Sequence, residues 1–179
     1  GFDPTVHDVP ASPDLGSVGV LGIAGPTSRG LALARALIGQ LVGLHSPRDV
    51  GLVLLTEPAR AGEWEWVRWL PHLRPVQPTG CQALVGLDPG TVAARVGELG
   101  ALITARGKHG VSEPRRRRTV VVVIDGARAL RDTPGLADLL TRGPDADVLA
   151  ICLDSDESRL PEECGAVATF TGEVATRLT

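Results

Sequence analysis

The sequence predicts an α/β fold, a mainly parallel sheet with helices on both faces. Short apolar runs (Val18 to Ala24, Val50 to Thr56, Thr119 to Ile124, Asp147 to Leu153) alternate with stretches of helical periodicity, the pattern of βαβ units. The runs are apolar almost throughout instead of alternating, as strands covered on both faces are. A chain of 179 residues, 43% apolar and 22% charged, suits one domain with one core.

Taken in order, residues 1–16 hold three prolines and read as a linker, with the domain occupying 17–179. The first strand, Val18 to Ala24, runs into a glycine-framed loop, Gly25 to Gly30, where a helix opens and continues to Leu44. That helix is apolar almost all round and is expected against the sheet. His45 stands where it can meet the last carbonyls, and Pro47 stops the helix. Val50 to Thr56 is the second strand. All three tryptophans follow, between Trp64 and Trp69. On an α-helix Trp66, Trp69 and Leu70 share one face, which reads as core, and Pro71 ends the segment. Trp64 then points about 200° away from Trp66 at 3.6 residues per turn, poorly covered and a candidate partner contact. His72 reads as a hydrogen-bonded structural residue.

Gln82 to Gly86 is a short third strand. Asp88-Pro-Gly-Thr caps a helix whose Val92, Val96, Leu99 and Ile103 recur at helical spacing, with Arg95 and Glu98 outward. Thr119 to Asp125 is the clearest buried strand. One short helix is expected within Thr133 to Gly143, and Asp147 to Leu153 and Ala166 to Phe170 complete at least six strands.

Composition excludes several classes. The longest apolar helical stretch, Leu31 to Leu44, is broken by Arg35 and Gln40 and is too short to span a bilayer. The start, Gly-Phe-Asp-Pro, has no secretory pattern. Without any methionine, the chain reads as a piece of a longer protein. Cys81, Cys152 and Cys164 lack metal-ligand spacing and read as reduced structural thiols. Asp154, Asp156 and Glu157 form an acidic loop without the order of a calcium site. Net charge is −3, yet Arg106 to Arg118 carries +5, leaving −8 elsewhere. Such a run is ordinarily a solvated loop. Its Arg115, Arg116, Arg117 and Arg118 are also candidates for contact with nucleic acid or an acidic partner, although no aromatic residue interleaves as a stacking platform.

Two motifs carry chemistry. The phosphate-loop template G-x-x-x-x-G-K-[ST] overlays Gly25, Pro26, Thr27, Ser28, Arg29, Gly30, Leu31 and Ala32. Leu31 replaces the lysine that reaches the phosphates, and Ala32 replaces the hydroxyl that ligates Mg²⁺. What remains is a backbone nest and a helix N-terminus, able to attract an anion. Val120 to Asp125 is a Walker B pattern, a buried strand delivering one aspartate where α/β sheets place their ligands. The glutamate that would orient water after it is Gly126. The plainer reading of Gly25 to Gly30 is a tight turn needing glycine for steric reasons.

Together with Gly22-Ile-Ala-Gly25, Leu33-Ala-Arg35-Ala-Leu37, His45-Ser-Pro-Arg-Asp49 and Trp64-Glu-Trp-Val-Arg-Trp-Leu-Pro-His72, the sequence resembles the FtsK/SpoIIIE-type ATPases. It is most similar to the ATPase-like domain of the EccC/EssC proteins of type VII secretion. The resemblance covers roughly Ser17 to Phe170. It implies a RecA-like P-loop NTPase fold in a cytoplasmic domain of a membrane-anchored protein. It also implies partners among the other ATPase domains of the same chain and membrane components of a secretion machine, with no small-molecule substrate. With Leu31, Ala32 and Gly126 in place, the leading expectation is a structural or regulatory module without catalytic residues or metal. ATP with Mg²⁺ would bind weakly at most, or an anion would bind in its place. One alternative is an active DNA translocase in which Arg29 replaces the lysine and Arg115 to Arg118 touch DNA. Another is a Rossmann-like enzyme using Glu57 for a ribose, against which the glycines read Gly19-x-x-Gly22-x-x-Gly25 and not G-x-G-x-x-G.

Overall fold

The computed structural model describes residues 14–75, 83–108, 117–171 and 175–178. Seven strands form one sheet in the order β3-β2-β4-β5-β1-β6-β7. They are β1 (Val20–Ala24), β2 (Val50–Thr56), β3 (Val85–Gly86), β4 (Thr119–Asp125), β5 (Val148–Asp154), β6 (Ala166–Thr171) and β7 (Ala175–Leu178). All neighbours pair in parallel except β6 with β7, an antiparallel edge that no sequence signal announced.

The helices are α1 (Leu15–Val18), α2 (Thr27–Leu44), α3 (Pro89–Lys108), α4 (Ala127–Leu130) and α5 (Leu136–Arg142). Alternation along the strands sorts them into two layers. Val122, Ile124, Ala150 and Cys152 face α3, α4 and α5, where Val92, Val96, Leu99, Ile103, Leu136 and Leu140 pack. Val121, Val123, Ile151 and Leu153 face α2 and a 3-10 segment, Pro58–Trp69, through Leu31, Ala34, Ile38, Trp64 and Val67. Both faces are therefore covered, as the unbroken valine run of β4 requires. Asp88 caps α3 by accepting from the Thr91 N–H at 3.0 Å and hydroxyl at 2.7 Å.

Helix α1 takes up the end of the expected linker and moves the start of the first strand from Val18 to Val20, and α4 adds a short helix after β4. Two further differences bear on the site. Helix α2 begins at Thr27, about three residues early, so only Gly25 and Pro26 connect it to β1. Gly25 turns with φ +144°, where a side chain would meet the Phe170 ring, and the Pro26 carbonyl accepts from the Arg29 and Gly30 N–H groups. Thr27 to Gly30 is thus the first turn of a helix and not a loop. The tryptophan block is the other difference. At three residues per turn, positions i and i+3 eclipse, so Trp64 and Val67 form the buried stripe.

Candidate nucleotide-site region at the carboxyl edge of the sheet

The carboxyl ends of β1, β5, β4 and β2 lie side by side, and register aligns Ala24 with Asp154, Leu153 with Asp125, and Asp125 with Thr56. Asp125 is wholly buried. Its Oδ2 accepts a hydrogen bond from the Trp64 indole Nε1 at 2.8 Å and lies 3.2 Å from the Arg60 Nε. Both partners come from the 3-10 segment, which is anchored to α2: Arg35 donates to the Glu63 carbonyl at 2.9 Å and pairs with its carboxylate at 2.7 Å.

The remaining oxygen, Oδ1, is buried with no hydrogen-bond partner among the described residues, as is the Thr56 hydroxyl. Burial pushes the Asp125 carboxyl above its ordinary range. The Trp64 hydrogen bond and the Arg60 charge pull the other way, while Glu57 and Asp154 add to the rise. Gly126 follows in the left-handed region, φ +85°, where a side chain would come within 3.1 Å of the Glu57 carboxylate. The turn into α4 favours glycine there on steric grounds.

Asp154 points to the opposite face. It accepts from the Arg128 N–H at 2.9 Å, the Ser155 N–H at 2.8 Å and Arg159 Nε at 2.7 Å. These bonds outweigh burial and hold its carboxyl below the ordinary range. Asp154, expected in an acidic loop, is the last residue of β5. Its position as the last residue of an apolar strand next to β1 and β4 was the signal that could have raised it.

Several expected site residues lie elsewhere. Leu31 is buried in the core against the sheet, while Pro26, Thr27, Ser28 and Ala32 are exposed and Arg29 half-buried on the first turns of α2. The expectation that Trp64 is poorly covered is overturned: it is 1% exposed, whereas Trp69 is 86% exposed. The cause is the 3-10 period together with the buried carboxylate that the Trp64 indole satisfies. Trp66 is half-buried and stacks on Trp64 with ring centres 6.3 Å apart.

The expectation of a wholly solvated basic loop also changes. Arg117 is exposed, but Arg118 lies over Gly51 and donates to the His72 carbonyl at 3.3 Å, and burial lowers its basicity. Arg106 donates to the carbonyls of Arg118, Ala146 and Asp147. Arg115, Arg116 and Cys81 lie outside the described residues. His72 is buried and donates from Nε2 to the His45 carbonyl at 2.9 Å, the structural role expected of it. Among the described residues no group of three or more His, Cys, Asp or Glu could hold a metal ion. Nor is any helix there long and apolar enough to cross a membrane.

No protein-family model matches the chain. Individual proteins do. The chain is 32% identical over 136 residues to the ESX secretion system protein EccC of Thermomonospora curvata, which covers 75% of this chain. It spans only 10% of that relative's length. Among solved structures, the cytoplasmic domain of the Thermomonospora curvata type VII secretion ATPase EccC superposes with a TM-score of 0.68 at 17% identity, over 92% of this chain and 21% of the other. EccC ATPases 2 and 3 of the same organism, solved with a signal sequence peptide, give a TM-score of 0.58 at 19% identity, over 84% and 31%. The superpositions show a shared fold, the RecA-like architecture that the resemblance implied.

Proposed function

Starting from a chain homologous to a segment of the EccC secretion ATPases, we propose that it is an ATPase-like module of a type VII secretion motor that does not hydrolyse ATP. The observation that carries this reading is the closure of the Asp125 carboxylate by Arg60 and Trp64 of its own chain. A Mg²⁺-nucleotide needs that carboxylate, a lysine and a hydroxyl. The residues present do not fit it. One oxygen of Asp125 is taken by a guanidinium and an indole, Leu31 is committed to the core, and Ala32 has no donor atom. Gly126 offers no carboxylate to orient water. Lost charge stabilisation of this kind costs orders of magnitude in rate.

In this reading the domain acts through its surfaces. Its partners are neighbouring ATPase domains of the longer protein, which is cytoplasmic and anchored to a membrane, with Trp69 and Arg117 the exposed contact candidates. An active DNA translocase reading loses support, because Arg118 is engaged by a main-chain carbonyl and Arg106 holds three more. Steady-state hydrolysis of Mg·ATP by the 179-residue chain tests the proposal. The expected turnover is indistinguishable from that of Asp125→Ala. Turnover that Asp125→Ala abolishes overturns the reading, as does micromolar, magnesium-dependent ATP binding in calorimetry.

A further inference from the structure

The two cysteines among the described residues meet on the face of the sheet away from Asp125. Cys152 on β5 is wholly buried, and its register partner on β1 is Gly22. A side chain at Gly22 would collide with Leu160 and come within 3.1 Å of the Cys164 sulfur. The missing side chain is what lets Cys164 lie over β1 and against Cys152. The Cys152 thiol donates a hydrogen bond to the Cys164 sulfur. That bond, with burial, pushes Cys152 well above the ordinary thiol range, and the same bond pulls Cys164 down. Both are free thiols, and Cys164 is only half-buried. Of the two sulfurs, Cys164 is therefore the one an oxidant can reach, with Cys152 enclosed behind it.

We propose that Cys164 is a thiol–disulfide exchange site for small-molecule disulfides, with Cys152 as its resolving thiol. The Cys164 thiolate attacks one sulfur of a disulfide such as oxidised glutathione. The oxidant's S–S bond breaks, a mixed disulfide forms on Cys164, and one glutathione thiolate leaves. The departing glutathione thiolate takes the Cys152 proton, and Cys152 attacks the Cys164 sulfur and expels the second glutathione thiolate, which is protonated in solution. The protein loses two electrons and two protons, and the oxidant becomes two thiols.

The bond acts on a definite piece of the fold. Residues 155–165 join β5 to β6 and carry Arg159, which holds Asp154. Leu160, Pro161 and Glu163 of the same segment wall a cavity of about 300 Å³ against Leu136 and Leu140. A Cys152–Cys164 link ties the far end of this segment to the strand from which it departs.

The test uses the 179-residue chain, native and with Cys81→Ala, held folded with excess oxidised glutathione, then alkylated in denaturant and mapped by mass spectrometry. In the Cys81→Ala chain the expected result is loss of both alkylatable thiols, no retained glutathione, and one linked peptide pair containing residues 152 and 164; the native chain gives the same linked pair. Dithiothreitol reverses it, and tryptic cleavage after Arg159 falls severalfold in the oxidised form. Cys152→Ala is expected to stop at one glutathione on Cys164. Glutathione retained on Cys164 of the two-cysteine chain overturns the proposal. So does a link from either cysteine to Cys81, or two unreacted thiols in a chain still folded by circular dichroism.

Discussion

The two ends of the sheet bury charge in opposite ways. At the carboxyl end an acid, Asp125, is wholly enclosed and answered by a full charge, Arg60, and by the Trp64 indole. At the amino end two bases, Arg106 and Arg118, are half-buried and answered by main-chain carbonyls of His72, Ala146, Asp147 and Arg118 itself. A carboxylate gathers its charge on two oxygens, so one cation and one donor can close on a single oxygen, here Oδ2. The other, Oδ1, stays buried without a partner among the described residues, and burial raises the pKa. A guanidinium carries five donors in a plane, and the open carbonyls where strands begin supply acceptors for several of them. The difference teaches that a charged residue in the sequence declares its charge but not its partner. A ligand, another side chain or the backbone can each supply it.

The largest expected effect tests the acid end. Trp64→Ala removes a fully buried indole and the one neutral donor on Asp125 together. We expect a loss of about 3–5 kcal/mol in urea unfolding, the cost of truncating a large buried aromatic. Trp69→Ala, five residues on and exposed, is expected to change stability by no more than about 0.5 kcal/mol. Equal losses at both positions would dissolve the contrast between a buried stripe at Trp64 and Val67 and an exposed indole at Trp69.

That contrast marks where the sequence stopped being legible. Strands β2 and β4 were readable because the apolar runs Leu52 to Leu55 and Val120 to Ile124, the latter rich in β-branched residues and both bounded by polar punctuation, have few other homes. Helix α3 was readable because Asp88 and Thr91 make a local cap and its apolar residues keep one period. The segment Pro58–Trp69 has no such period of its own. Its choice of a 3-10 path rests on long-range partners, with Asp125 61 residues from Trp64. An α-helical wheel therefore put the wrong tryptophan outside. The turn after β1 was misjudged for a related reason. Glycine spacing matched a phosphate loop, but Leu31 buried in the core and Pro26 at the helix start fix a register that begins the helix at Thr27. That an aspartate ends the buried strand β4 was legible, and its pairing with Arg60 was not. Neither was the division of neighbouring arginines, since Arg117 and Arg118 differ only in which side of the chain meets Gly51.

The basic end offers the middle-sized effect. Arg118→Ala removes one hydrogen bond to the His72 carbonyl and the cover over Gly51, and frees the Arg118 site from its packing. We expect a loss of about 1–2 kcal/mol in the same unfolding measurement, typical for a bond from a charged donor plus the packing of its stem. Arg117→Ala is expected to stay within about 0.5 kcal/mol. If Arg118→Ala is as silent as Arg117→Ala, the amino end is simply a solvated charge cluster.

The finest test lies in pH. Burial raises the Asp125 carboxyl above the ordinary range, so between its ordinary and its folded value the native state holds a proton that the unfolded chain does not. Stability from this group therefore grows as pH falls through that window and is absent above it. Asp154, held low by Arg128, Ser155 and Arg159, works the other way: its contribution is present above the ordinary range and lost as pH falls through its lowered value. In the native chain the two trends oppose each other. Asp125→Asn keeps the shape and an acceptor for the Trp64 indole but cannot titrate, so the trend of Asp154, shared by Asp88 and Asp156, is left unopposed by Asp125. We expect the variant to lose stability more steeply than the native chain as pH drops from neutral into the carboxylate range. The difference in slope is bounded by about 1.4 kcal/mol per pH unit, the limit for one proton. Urea unfolding at several pH values reads it directly. Identical slopes would mean that Arg60 holds Asp125 ionised as firmly in the fold as water does outside it. The acid end would then be an ordinary ion pair, and burial would not decide the state of its carboxylate.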